Sequence, residues 1–230
     1  MGDRQSQSIL EFINVTIKGV FRNTSRSITI DGTYRNMSFY RKFTQNAGMY
    51  QYIPKTANGN YGSLFAVHCP NGGAWVPSRP GGTNYTPDDY WALTQPMEVF
   101  EFTDNPIVRD PFGLNIRNEL GVLVFSTNIK PMRVVKALSG TISDMSTNQV
   151  LIDEVVRSGR KLAVVLGLQP IKCYFASGAY IVKALEVITG TNGYVKITFK
   201  DVYSMSKPGY SGSLAQVAQY NILILDVTNY

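Results

Sequence analysis

The chain is broken by turn signals every 8–14 residues, and this spacing constrains its fold more than any other feature. Lys18-Gly19, Asp31-Gly32, Asn118-Glu119-Leu120-Gly121, Arg157-Ser158-Gly159-Arg160 and Thr189-Gly190-Thr191-Asn192-Gly193 each separate short apolar or alternating runs. A two-residue alternation between such turns is the mark of strands, and Asp-Gly or Asn-containing loops suit hairpins. Composition points the same way. Thr, Asn and Tyr are abundant while Glu, a good helix former, is scarce. With 20 Gly and 11 Pro in 230 residues, long helices have little room.

The expected fold is all-β: an antiparallel, sandwich-like body built of hairpins. Expected strands include 9–17, 27–30, 37–43, 63–69, 97–102, 133–138 and 221–227. Phe112-Gly113-Leu114 to Phe125 reads as a tight hairpin. Val150–Val156 and Lys161–Leu166 read as another, across the 157–160 turn. Ala179–Ile188 and Tyr194–Val202 form a third. One short helix is expected near 87–95: Thr86 can cap it, Pro87 suits the first position, Asp88 and Asp89 favour its positive end, and Pro96 stops it. The chain is read as a single module over 1–230, with 1–103 and 111–230 as a possible subdivision at the short Thr103–Asp110 stretch.

Charge and cysteine content narrow the function. Net charge is +6, but the basic residues are dispersed. The densest groups, Arg41-Lys42 and Arg157 with Arg160-Lys161, fall short of a linear nucleic-acid tract, so no nucleic-acid partner is expected. No apolar run approaches the roughly 18 residues of a membrane span. The first residues lack a basic and apolar leader, which implies synthesis in the cytoplasm with Cys69 and Cys173 as buried thiols.

Chemistry is thin. His68 and Cys69 are strand neighbours whose side chains point to opposite faces, so His68 cannot easily activate Cys69, while Cys173 stays geometrically open to it. His68 is expected to be a buried, hydrogen-bonded histidine. One His and two Cys do not make a closed zinc site. Phosphate-cradling glycine motifs are missing, and Asp88-Asp89 and Asp153-Glu154 are explained by helix capping and a hairpin rim. No catalytic, cofactor-binding or metal residue is assigned, and the chain is read as a non-enzyme.

The segment most suited to contacts is 70–91. Trp75, Arg79, Tyr85, Tyr90 and Trp91 are residue types favoured at interface centres. They fit three roles: pinning the loop to its own sheet, meeting a protein partner, or stacking on a ligand such as a sugar.

The run Phe112-Gly113-Leu114-Asn115-Ile116-Arg117-Asn118-Glu119-Leu120-Gly121-Val122-Leu123-Val124-Phe125-Ser126 resembles a pattern in tail structural proteins of tailed bacteriophages. Ile30–Asn36, Lys161–Leu166 and Asn221–Val227 echo that family in order along the chain. The resemblance implies a structural component of the virion, at the tail tip or baseplate. It would be made in the host cytoplasm and held by copies of itself or other tail proteins. A carbohydrate- or receptor-binding module using the 70–91 segment is the competing reading.

Overall fold

In the computed structural model the described residues are 19–23, 26–30, 37–47, 63–77, 90–92, 95–104, 113–117, 121, 123–190, 192–209 and 212–230. Their elements are β1 (Gly19–Asn23), β2 (Arg26–Ile30), β3 (Ser38–Gln45), β4 (Ser63–His68), β5 (Gly73–Pro77), β6 (Tyr90–Ala92), β7 (Met97–Thr103), β8 (Asn115–Arg117) and β9 (Leu123–Ser126). They continue with β10 (Val134–Thr141), β11 (Gln149–Val155), β12 (Leu162–Leu168), β13 (Ile171–Ala176), β14 (Ala179–Thr189), β15 (Tyr194–Ser206), β16 (Gly212–Val217) and β17 (Gln219–Asp226). The protein is all-β: its strands pair antiparallel, and no helix occurs among the described residues. The short helix expected near 87–95 is therefore corrected at Tyr90–Ala92, which is a strand paired to β5. The capping signals at 86–89 are local. Tyr and Trp favour a pleated surface, and the backbone of β5 offers them a ladder that a helix cut short at Pro96 cannot match. The strand expected at 9–17 lies outside the described residues.

The chain forms two compact units. The first takes Met1–Asn36 and Val108–Ile129. In it β1 pairs with β2 in a hairpin, with Gly19 inside β1 and not in a turn as expected. β8 pairs with β9 as the sequence predicts. Gly113 has φ +114, and a Cβ there would lie 2.6 Å from Thr127 Oγ1. The Phe-Gly-Leu pattern thus has a steric cause, since Leu114 and Thr127 exchange hydrogen bonds across this point.

The second unit, Met37–Ile107 with Lys130–Tyr230, holds two sheets. One has six strands in the order β10-β17-β12-β4-β7-β3. The other runs β11-β15-β14-β13-β16, with β5 on β14 and β6 on β5. Val67, Val99, Val164, Ile222 and Ile224 from the first sheet pack against Leu185, Val187, Val195, Ile197 and Phe199 from the second. Alternation along each strand supplies this shared core, the sandwich arrangement.

The sheets are also covalently continuous at two corners. β4 pairs with β7 in one sheet, and their continuations β5 and β6 pair in the other. β12 pairs with β17, and their continuations β13 and β16 pair in the second sheet. Each set is one long hairpin bent through both layers, with bends at Cys69–Gly72 and at Gln169–Pro170 opposite Ala218. The expected 150–166 hairpin is corrected by the same topology. β11 pairs with β15 and β12 with β17 and β4, so the 157–160 turn crosses between sheets. Burial explains why. Leu162–Val165 are buried on both faces and need a central position, whereas β11 is an edge strand with exposed Val150 and Val155.

The six-stranded sheet curls strongly. Laid flat, its five gaps would span about 24 Å. Yet Pro131 bridges Ser38 beside β3, while Val134 pairs with Leu225 near the opposite edge. Three residue steps reach only about 10 Å. The concave side holds Ala66, Phe100, Phe102, Ala163, Val165 and Leu225. Phe39 and Tyr230 stack edge-on against each other, 5.2 Å between ring centres, and both meet Phe102.

Candidate functional site

The five residues singled out in the sequence are only partly placed. β5 carries Trp75, and β6 carries Tyr90 and Trp91. Pairing sets Trp75 opposite Ala92, Val76 opposite Trp91 and Pro77 opposite Tyr90. The fold therefore brings three of the aromatic residues onto one two-stranded ribbon. Arg79 and Tyr85 lie in the segment joining β5 to β6, outside the described residues.

The ribbon's root is built from buried polar groups. Gly73 and Ala74 pair with Val187 and Glu186 of β14, and beyond them β5 pairs with β6. A Cβ on Gly73 would lie 3.0 Å from Met97 Cε, so β5 passes close against the core here. At the end of β14, Thr189 Oγ1 accepts the Cys69 N–H at 2.7 Å, and Thr189 N–H donates to Cys69 O at 3.0 Å. His68 Nδ1 sits 2.8 Å from both Leu162 O and Thr189 Oγ1. A carbonyl only accepts, so Nδ1 carries the proton. Burial holds the imidazole below its ordinary pKa; Lys161 adds to this while Leu162 O and Glu98 oppose it. His68 is thus the buried, hydrogen-bonded histidine the sequence suggests.

Cys69 is fully buried, and burial alone pushes its thiol up to about 12. Cys173 is raised too, by burial, and packs in a separate cluster with Tyr180 and Val182. Neither is joined in a disulfide. Neither has the lowered pKa of a nucleophilic cysteine.

A charged group lies beside this root, at one end of the concave face. Glu98 binds Lys161 through Oε2, and Lys42 lies 3.5 Å from its Oε1. Burial acts to raise the Glu98 carboxyl, but Lys161 and Lys42 together hold it below the usual value. Asp226 is buried under Arg157 and Arg160, each 3.9 Å away. The following segment is tied down by cations. Arg133 donates to Thr228 O at 2.7 Å, Lys130 donates to Asn229 O, and Lys42 donates to Tyr230 O at 2.9 Å. Arg133 also stacks on the Tyr230 ring, 4.9 Å from its centre.

Sequence reasoning did not find Thr189, Glu98 or this convergence of cations. Thr189 lies 120 residues from its Cys69 partner, and nothing local marks it. Among the described residues no three His, Cys, Asp or Glu side chains group as a metal site, and no helix is long and apolar enough to cross a membrane. Comparison with protein-family models, curated proteins and solved structures returned no match.

Proposed function

We propose that the protein is a non-enzymatic structural component of a tailed-phage virion, in the tail tip or baseplate, acting through contacts between subunits. The observation that carries this reading is the β5–β6 ribbon. It is the far half of a hairpin bent from the first sheet into the second, it bears Trp75, Tyr90 and Trp91, and its root is fixed by Thr189. A rigid body with an aromatic arm suits assembly, because a preorganised contact loses little entropy on docking. The resemblance of the 112–126 hairpin to tail structural proteins supports the same role. The test is mass spectrometry of purified virions from a phage encoding the chain. Peptides at structural abundance are expected; absence from virions, with a stable monomer in solution, overturns the proposal.

The same ribbon favours a second reading, a carbohydrate- or receptor-binding module in which the rings stack on sugar faces. Specific glycan-array binding that is lost on Trp75→Ala would replace the first reading with this one.

A further inference from the structure

The two basic groups that looked too sparse in the sequence meet in space. Lys42 and Lys161 share Glu98, while Arg157 and Arg160 share Asp226. Lys130 and Arg133 complete the group along Asn229–Tyr230 and Thr228. Six cations thus surround two carboxylates, and the depths differ. Arg157, Arg160 and Lys42 are 52%, 41% and 48% exposed, against 2% for Asp226 and 24% for Glu98. The anions lie beneath and the cations face outward, so the surface field is positive.

Arg157 and Arg160 are the most available. At 3.9 Å from Asp226 they are held by charge alone, too far for a hydrogen bond. Their guanidinium forks keep donors that match phosphate oxygens bidentately. The turn that presents them is rigid. Val156 N–H and Arg157 N–H donate to Gly193 O, and Gly159 N–H donates to Asn192 O.

We propose that this surface, from the 157–160 turn to Arg133 and Lys130, binds the phosphate backbone of double-stranded nucleic acid without reading sequence. The charge pattern favours phosphate over a protein partner. The core of a protein interface is depleted of charge and richer in apolar groups, whereas the exposed large apolar side chains flanking these cations in the chain are only Val134 and Val155 among the described residues. Phosphate contacts need only positioned cations and backbone spacing. This inference does not depend on the virion reading.

The test is fluorescence anisotropy of the full chain with a short labelled DNA duplex across a salt series, with labelled poly-L-glutamate in parallel. Binding that weakens steeply with salt is expected for the duplex. Arg157→Ala/Arg160→Ala should weaken it about tenfold and flatten the log–log salt slope by about 2. Arg157→Lys/Arg160→Lys should recover most of the slope. Lys172→Ala/Lys207→Ala makes the same charge change on the seven-stranded sheet and should leave affinity within about twofold. Thermal melts confirm that each variant is folded. No duplex binding at low salt, equal loss in the two alanine pairs, or poly-L-glutamate binding as tight as the duplex overturns the proposal.

Discussion

Thr189 Oγ1 stands 2.8 Å from His68 Nδ1, so a threonine ending β14 meets a histidine ending β4 in the opposite sheet. The same hydroxyl accepts the Cys69 N–H where β4 bends toward β5. Thr189→Val keeps the shape and removes the acceptor, leaving a buried N–H unsatisfied. A loss of about 2 kcal/mol is expected in urea unfolding. Thr189→Ser keeps the oxygen and should lie within about 1 kcal/mol of the wild type. Equal losses for both would mean that packing, not the hydrogen bond, fixes the corner.

The pH dependence of stability follows from His68. Its folded pKa is depressed below 6.5, so the unfolded chain takes up a proton first as pH falls. Stability is full above that value and declines below it, by up to about 1.4 kcal/mol per pH unit. Glu98 and Asp226 are also depressed in the fold, from 4.5 and 3.8, so their contributions are lost at still lower pH. For Asp226, burial acts upward, but hydrogen bonds from Thr228 and the nearby Arg133 and Arg160 outweigh it. Urea titrations between pH 7 and pH 5 should therefore show a slope that His68→Gln abolishes. A slope unchanged by His68→Gln would remove this role.

Both thiols should be silent in the native protein. Burial pushes Cys69 to about 12, and Cys173 moves in the same direction. Ellman's reagent at pH 8 is expected to detect neither until denaturant is added, and then both. Rapid native reaction of Cys69 would show that the first corner opens.

The Gly193 carbonyl anchors the turn that crosses between the sheets. Gly193 has φ +84, and a Cβ there would fall 1.8 Å from Arg157 O. Gly193→Ala combines left-handed strain with a backbone clash and should cost about 3 kcal/mol. Gly159 also has positive φ, +70, but has nothing within 4 Å of its Cβ position. Gly159→Ala should therefore cost only the strain, about 1 kcal/mol. Similar melting temperatures for the two variants would contradict this docking of one turn on another.

The sequence disclosed strands where one pattern sufficed. Val195, Ile197 and Phe199 alternate toward the core as their spacing predicts, and β14–β15 closes across the expected loop. The strand expected at 221–227 forms as β17, between β10 and β12. What stayed hidden depends on distant partners. A turn at 157–160 looks the same whether it closes a hairpin or passes between sheets. Tyr90–Ala92 becomes a strand because β5 lies beside it. Ile171–Ala176 and Gly212–Val217 were missed because each is the far half of a strand bent at a corner. The candidate site was legible only as a set of aromatic residue types. Its root at Thr189 and the meeting of Lys42 with Lys161 arise from contacts across the fold.

The most direct test of the assembly role is amide hydrogen exchange on the purified chain and on the same chain inside intact virions. Residues 73–77 and 90–92 are expected to exchange faster in the free chain and to become protected in the virion, while the core strands β14 and β15 stay slow in both. Equal exchange of the ribbon in the two states would contradict the assembly role.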